Sequence, residues 1–215
     1  MTLFIKQIVA GNDDAGAQQA ITGDPFTNTL NVAQPAYQIG EGQSSPAATL
    51  HLDTTARFTD VTIPNGATID SATLTLTAFS SGQTGGNVFT NIVAHNVDNS
   101  PQLIQGNFAE YNGRALTGGV AWALNPIWVP ESVNVSPDIK TVIQTIVDRP
   151  GWASGNALHI FVQESGASSN SERRAYGFVA NPAKSARLTV NFTAAVVGGS
   201  FSPGAAQQSY QQIAL

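Results

Sequence analysis

Two adjacent carboxylates, Asp13 and Asp14, are the residues whose type and spacing best suit metal chemistry. They lie in the segment GNDDAG, residues 11–16. Ca²⁺ prefers carboxylate and carbonyl oxygens, which loops supply readily, and Asp98 or Asn99 could complete the ligand shell. Adjacent aspartates in a glycine-containing loop are also typical of a solvated turn. The sequence therefore leaves a calcium site at Asp13 and Asp14 open, and it predicts no other cofactor.

The three tryptophans are the candidates for binding a sugar, because pyranose C–H faces pack on aromatic rings. Trp122 lies between two alanines in an apolar segment and is expected in the core. Trp152 follows a predicted helix and is expected to cover its end. Trp128 is flanked by Pro126 and Pro130, so it is the candidate for an exposed ring. We expect Trp128 to contact a glycan if the protein binds one.

The remaining polar residues do not suggest catalysis. The chain has no cysteine, which excludes thiolate nucleophiles and thiolate metal sites. No nucleophile-elbow, zinc-protease or phosphate-loop motif occurs. The glutamates are scattered and the histidines occur one per predicted strand, without metal-ligand spacing. The residues considered are Glu110, Glu131, Glu164, Glu172, His51, His95 and His159. The sequence therefore predicts a protein that is not an enzyme.

Composition limits the partners of the protein. The 215 residues include only 11% charged residues and carry a net charge of −5. The nine basic residues are scattered, so no nucleic-acid contact is predicted. No apolar stretch is long enough to span a membrane, and the first residues lack the apolar segment of an export signal. We expect a protein that binds neither nucleic acid nor membrane.

Alternation of apolar and polar residues is the dominant pattern of the chain. Residues 71–78 predict a half-buried strand with a threonine-rich outer face. Residues 57–63 alternate as well, and Pro64-Asn65-Gly66 indicates the turn between the two strands. Further strands are predicted at residues 3–9, 48–52, 88–95, 120–124, 158–163, 175–179 and 187–192. This arrangement predicts an all-β fold, a jelly-roll-like β-sandwich over residues 1–194.

One amphipathic helix is predicted at about residues 137–149. Ser136 is a favourable N-cap, Pro137 suits the first helical position, and Asp138 favours the positive end of the helix dipole. Five apolar residues follow at helical spacing, and Pro150 ends the pattern. The apolar residues are Ile139, Val142, Ile143, Ile146 and Val147. The helix is expected to pack on a sheet edge or on the opening of the sandwich.

Several segments together resemble the DNRLRE-like β-sandwich modules of bacterial surface and secreted proteins. The most specific is IPNGATIDSATL, residues 63–74, followed by GWASGN at residues 151–156 and ARLTVNF at residues 186–192. The resemblance covers roughly residues 5–193. It implies a jelly-roll-like sandwich associated with carbohydrate binding or cell-surface structure. The chain departs from such modules in lacking an export signal and attached domains, and in its C-terminal extension.

The C-terminal extension, residues 195–215, is predicted to be an extended arm. Its small and polar residues cannot build a core, but four spaced apolar residues suit contact with another chain. These partner-binding residues are Phe201, Tyr210, Ile213 and Leu215.

The sequence therefore predicts a structural protein of a virus-like assembly, either a phage capsid decoration (cement) protein or a head–tail accessory subunit. Its partners would be its own copies and neighbouring capsid or tail subunits, and its location the virion. The alternative is a carbohydrate-binding or adhesion module that is extracellular or on a cell surface and contacts a surface glycan.

Overall fold

Antiparallel β-strands make up most of this computed structural model, which describes residues 1–21, 28–45 and 48–195. The strands are β1 Thr2–Gln7, β2 Asp14–Ala20, β3 Thr29–Val32, β4 Ala36–Ser45, β5 Ala48–Phe58, β6 Thr68–Thr77, β7 Phe89–Ala94, β8 Val120–Ala123, β9 Val133–Val135, β10 Leu158–Glu164, β11 Ser171–Tyr176 and β12 Arg187–Thr193. Two α-helices accompany them, α1 Phe108–Asn112 and α2 Lys140–Val147. Short 3₁₀ turns lie at Gly11–Asp13 and Pro182–Lys184.

The strands form two sheets that face each other. The smaller sheet has the order β1-β12-β6-β9, and the larger has the order β11-β4-β5-β10-β7-β8, with β2 paired to β5 and β3 paired to β2. The main core lies between the sheets and contains Leu74 and Leu188 from the smaller sheet and Phe58 and Ile160 from the larger. The predicted all-β sandwich is thus confirmed, and its jelly-roll connectivity stays a prediction.

The alternation in β6 has one interruption that the sequence pattern does not reveal. Ala72 and Leu74 face the core, as predicted, while Thr73 is only half-buried on the opposite face. Ile69 is also buried, although it has the opposite parity. The register with β12 shifts at this point, because Asn191 pairs with Ser71 whereas the next residue of β12 pairs with Ile69. Such a bulge exchanges the two faces of a strand, which explains why both parities point inward.

The second helix, α2, closes the core and is shorter than predicted. Val142, Ile143, Ile146 and Val147 are buried, so the predicted apolar face is confirmed. The helix spans Lys140–Val147 rather than residues 137–149.

The reason for the late start of α2 is that residues 136–139 continue the pairing with β6. The Ser136 N–H donates to the Leu74 carbonyl over 2.9 Å, and the Ile139 N–H donates to the Ala72 carbonyl over 2.8 Å. The Ser136 hydroxyl accepts the Leu74 N–H rather than capping the helix. Asp138 accepts the Lys140 N–H over 3.0 Å and so binds an N–H of the first turn.

A second apolar cluster covers the outer face of the larger sheet, and no sequence pattern predicted it. Leu30, Leu103, Tyr111 and Phe161 are among its buried members. Helix α1 supplies Tyr111, and its N-terminus is capped by the Asn107 side chain, which accepts an N–H over 3.1 Å. Five residues are too few for a recognisable helical repeat, so α1 could not be found from periodicity.

Among the described residues, no helix combines the length and apolar character that crossing a membrane would require.

Candidate functional site

An open side of the sandwich, between the last strand of each sheet, is the candidate binding site. Strand β8 ends the larger sheet and β9 ends the smaller sheet. Within the described part of the chain, each of these strands pairs on one side only, β8 with β7 and β9 with β6. A shallow groove of about 490 Å³ lies between them. Its lining includes Trp122, Asn125, Trp128, Val133 and Asn134. We call it the edge groove.

Exposed apolar side chains surround the edge groove. Val129 is 71% exposed and Val133 is 62% exposed, and Ile127 and Val135 are exposed as well. Val133 and Val135 of β9 lie on the outer face of the strand, because alternate residues of a strand share a face. Asn134, between them, lies on the inner face. Single exposed apolar residues are normal, but a contiguous group beside a groove is typical of an interaction site.

The edge groove also lacks the charges that usually protect a sheet edge. Between residues 120 and 136 the only charged residue is Glu131. The Glu131 carboxylate forms an ion pair with Lys184 and accepts a hydrogen bond from the Tyr176 hydroxyl over 2.6 Å. Edge strands normally carry lysines, prolines or bulges that prevent pairing with another chain. Strands β8 and β9 carry no charged residue, so their edges are suited to contact with another polypeptide.

A buried arginine holds the loop that forms the floor of the edge groove. The Arg173 side chain is 0% exposed, and its hydrogen bonds to the described residues all go to main-chain carbonyls. Its Nε donates to Leu124 over 2.9 Å, and its terminal nitrogens donate to Thr84, Glu172 and Gly86 over 2.8 to 3.0 Å. The guanidinium therefore ties the residue that follows β8 to two other segments. The sequence offered no signal for this role, because the adjacent arginines look alike.

The structure corrects the expectation that the Trp128 ring is exposed. Only 7% of Trp128 is exposed, because its ring packs against Trp122 with the ring centroids 6.1 Å apart. The flanking Pro126 and Pro130 are exposed and lie in the loop between β8 and β9, but Trp122 of β8 packs against the ring. Trp122 and Trp152 are buried, as expected. Trp128 does line the edge groove, so it lies beside a groove without presenting its face.

Asp13 is buried and paired with an arginine. Its side chain is 2% exposed, and Oδ1 accepts the Arg57 guanidinium over 2.8 Å and the Gln102 amide over 3.1 Å. Arg57 also donates to the Ser100 carbonyl over 2.7 Å. A cation at Asp13 would have to compete with this guanidinium.

Asp14 is buried as well, and its two carboxylate oxygens accept hydrogen bonds from different segments. The Tyr37 hydroxyl donates to Oδ1 over 2.6 Å, and the Phe178 N–H donates to Oδ2 over 2.7 Å. Burial raises the pKa of Asp14 to about 6, although both hydrogen bonds act in the opposite direction. A raised pKa favours the neutral acid rather than the carboxylate that calcium needs. The described residues contain no group of three carboxylate or histidine ligands, and the calcium site stays a prediction.

A buried polar network supports the segment that follows β7. The Ser100 hydroxyl lies 2.9 Å from Nδ1 of His95 and accepts a terminal nitrogen of Arg114 over 3.3 Å. Arg114 also lies 2.9 Å from Nδ1 of His159, whose Nε2 contacts the Thr55 hydroxyl. Burial lowers the pKa of His95 to about 4, and burial also holds the pKa of His159 well below its usual range.

This serine–histidine pair has the spacing of a nucleophile and its base, but Ser100 is only 1% exposed. Its hydroxyl is also shared with Arg114, which donates to the carbonyls of Pro101 and Gln102. The network therefore positions the chain after β7 and does not face a cleft.

Two carboxylates that the sequence left unpaired are close to each other in the structure. Asp53 accepts the Tyr111 hydroxyl over 2.6 Å and the Glu164 N–H over 2.7 Å. Burial raises the pKa of Asp53 to about 6, and the Glu164 carboxylate contributes to this shift. Glu164 in turn lies 3.0 Å from Nε2 of His51. Both Asp53 oxygens accept protein hydrogen bonds, so the cluster links β5, β10 and α1.

The four residues assigned to partner binding, Phe201, Tyr210, Ile213 and Leu215, lie outside the described residues, and their role stays a prediction. Strand β12 ends at Thr193, close to the predicted domain boundary at residue 194.

No protein-family model matches the chain, and no curated protein matches its sequence. The resemblance to DNRLRE-like modules therefore stays a prediction.

Proposed function

We propose that this protein is a non-enzymatic structural subunit of a repeating, virus-like assembly, and that it acts by adhesion between subunits. In a phage particle this role would be that of a capsid decoration (cement) protein or a head–tail accessory subunit. The observation that carries the proposal is the edge groove, where two unprotected edge strands and four exposed apolar side chains lie together. Burial of such side chains is the main favourable term in protein association.

The outer face of the smaller sheet supports the same role. It presents Ser71, Thr73 and Thr77 from β6 and Thr189 and Asn191 from β12, all of them half-buried. Hydroxyl and amide groups can form many hydrogen bonds with a neighbour without the desolvation cost of charges. Each contact is weak, but a lattice of identical subunits multiplies weak contacts by presenting many of them at once. Only 11% of the residues of the chain are charged, so few charges would lose their hydration when copies pack against each other.

The proposal is tested by measuring the mass of the purified full-length chain by sedimentation over a wide concentration range. We expect discrete oligomers that dissociate on dilution. Removal of residues 196–215 should leave the unfolding transition in place and shift the protein towards the monomer. A full-length chain that remains a monomer at every concentration would contradict the proposal. The genes beside that of this protein provide a second test, since capsid, portal and tail genes are expected there.

A carbohydrate-binding or adhesion module is the second candidate, because Trp128 and the amides of Asn125 and Asn134 line one groove. This function would place the protein outside a cell or on its surface. Only 7% of Trp128 is exposed, which leaves little of its ring for a sugar. Glycan-array binding that is lost in Trp128→Phe but kept in Trp152→Phe would support this candidate over the structural role.

A further inference from the structure

We propose that the edge groove binds the C-terminal segment, residues 196–215, of a second copy of this chain, in an extended conformation along β8 or β9. The inference rests on the proposed function, because it requires that copies of the chain associate. It goes further in assigning the two surfaces that meet. Three features favour this occupant: the lack of charge in the segment, its sequence pattern, and the direction in which the chain leaves β12.

The lack of charged side chains in both the segment and the groove favours this segment as the occupant. Every lysine, arginine, aspartate and glutamate of the chain precedes residue 188, so residues 196–215 carry no charged side chain. Among the described residues, none of those that line the edge groove is charged, and Glu131 of the adjoining loop is already paired with Lys184. An uncharged segment can enter an uncharged groove without burying an unpaired charge, which is strongly unfavourable.

The sequence of the segment suits an added strand. Ile213 and Leu215 alternate with Ala214, so both apolar side chains would lie on one face of an extended chain. The exposed Val133 and Val135 of β9 have the same two-residue spacing. Main-chain groups at the free edge would supply hydrogen bonds, and the alternate side chains would supply specificity, as in other cases of strand addition.

The topology favours a second copy over the chain's own groove. Strand β12 runs antiparallel to β6, from Arg187 opposite Thr75 to Thr193 opposite Thr68. Strand β9 pairs with the other end of β6, where Val133 lies opposite Thr77. The chain therefore leaves β12 in the direction that leads away from the edge groove. The nine residue-to-residue steps of β6 from Thr68 to Thr77 span about 30 Å.

The length of the segment is sufficient for exchange between neighbours. Twenty residues reach at most about 66 Å when fully extended. The first part of the segment contains three glycines, Gly198, Gly199 and Gly204, a composition typical of linkers between domains. The segment follows the end of β12 at one end of β6, and the groove lies at the other end. Each copy can therefore insert its segment into the groove of one neighbour and bind the segment of another neighbour in its own groove. Such head-to-tail contacts form rings or open rows.

The test compares full-length variants by sedimentation. The groove variant is Val133→Lys with Val135→Lys, and the arm variant is Ile213→Asp with Leu215→Asp. The two valines are exposed, so their replacement should leave the unfolding transition unchanged. We expect each variant to associate roughly 30-fold or more weakly than the unaltered chain. Val179→Lys, at another exposed valine far along the chain, is the matched control and should associate normally.

Mixing the two variants gives the sharper result. The arm variant keeps an intact groove, and the groove variant keeps an intact C-terminal segment. We expect the mixture to form one-to-one pairs although each variant alone is monomeric. Pairs that fail to form while both single variants are monomeric would overturn the inference.

Other outcomes separate this inference from the proposed function. If the groove variant associates like the unaltered chain while the arm variant does not, the segment docks elsewhere, so the inference fails and the assembly role survives. A different result would be that the unaltered chain is a monomer and that its C-terminal segment is cleaved more readily by protease in the groove variant. The segment would then bind the groove of its own chain, and both the inference and the proposed function would fail.

Discussion

Replacement of Arg173 by lysine should destabilise the protein strongly, although the change keeps the charge. Arg173 is fully buried and donates four hydrogen bonds to main-chain carbonyls in three segments. A lysine ammonium is a single point with three donors, so it cannot reach all of these carbonyls. At least two of them would lose their partner, and each buried unsatisfied carbonyl costs about 1–3 kcal/mol. We therefore expect a loss of roughly 2–5 kcal/mol in the free energy of unfolding.

Urea denaturation followed by tryptophan fluorescence measures this loss. With a slope of about 2.5 kcal/mol per molar urea, towards the upper end of the usual range because the slope rises with chain length, the midpoint should fall by roughly 1–2 M. Fluorescence also reports the site itself, because Trp128 belongs to the loop that begins at Leu124, which Arg173 holds, and its ring packs against Trp122. The emission of the folded variant should therefore shift to longer wavelength as this loop loosens.

The adjacent Arg174 provides the matched control. Its guanidinium is 35% exposed and pairs with Glu172 over 2.7 Å. Surface ion pairs contribute about 0–1 kcal/mol, so Arg174→Lys should change the free energy of unfolding by less than about 1 kcal/mol. Equal effects of the two substitutions would refute the assignment of Arg173 as the residue that holds the loop.

Three further predictions concern the two aspartates and a glycine. Burial raises the pKa of Asp14 from 3.8 to about 6. Below about pH 4 the carboxyl is protonated in both states and does not affect stability, whereas above about pH 6 it is ionised in both states and the folded state bears the full free-energy cost of the buried charge. Asp14→Asn, measured by urea denaturation, should therefore destabilise by about 2 kcal/mol more at pH 4.5 than at pH 7.5, and equal losses would contradict the raised pKa. A Cβ on Gly177 would lie 2.0 Å from the Gln34 carbonyl oxygen, so Gly177→Ala should lower the thermal midpoint by several degrees, whereas Gly118→Ala has open space and should not. Millimolar calcium should leave the thermal midpoint unchanged, and a rise that disappears in Asp13→Asn would instead establish the calcium site.

Patterns that arise within one strand could be predicted from the sequence. The alternation over residues 71–78 reports directly which side chains of β6 face the core, because a strand exposes alternate residues to opposite sides. The apolar face of α2 was predictable from its own spacing, because residues three and four apart share one face of a helix. Its first residue was not, because the N–H groups of Ser136 and Ile139 are satisfied by β6, more than sixty residues earlier in the chain. Local capping signals cannot compete with such pairing.

The candidate site depended on contacts between distant residues, which no local pattern shows. Prolines around Trp128 indicate a loop, yet its exposure depends on the strand that Trp122 occupies. Asp14 resembles a solvated turn residue until Tyr37 and Phe178, 23 and 164 residues away, bind its carboxylate. The edge groove could be found from the sequence only by noting that residues 120–136 are almost uncharged. That signal was present, but its meaning depended on knowing that β8 and β9 end their sheets.

The two strands that border the groove are joined by a single loop, residues 124–132, between Ala123 and Val133. Most of its residues are exposed, and Asn125, Ile127 and Val129 line the groove, whereas Leu124 and Trp128 are buried in the core. Insertions or deletions among its exposed residues would alter the shape of the contact surface while leaving Leu124, Trp128 and the rest of the hydrophobic interior in place. Recognition and folding can therefore diverge independently during evolution, so homologues that keep this sandwich but bind different neighbours should differ most between Leu124 and Ser132.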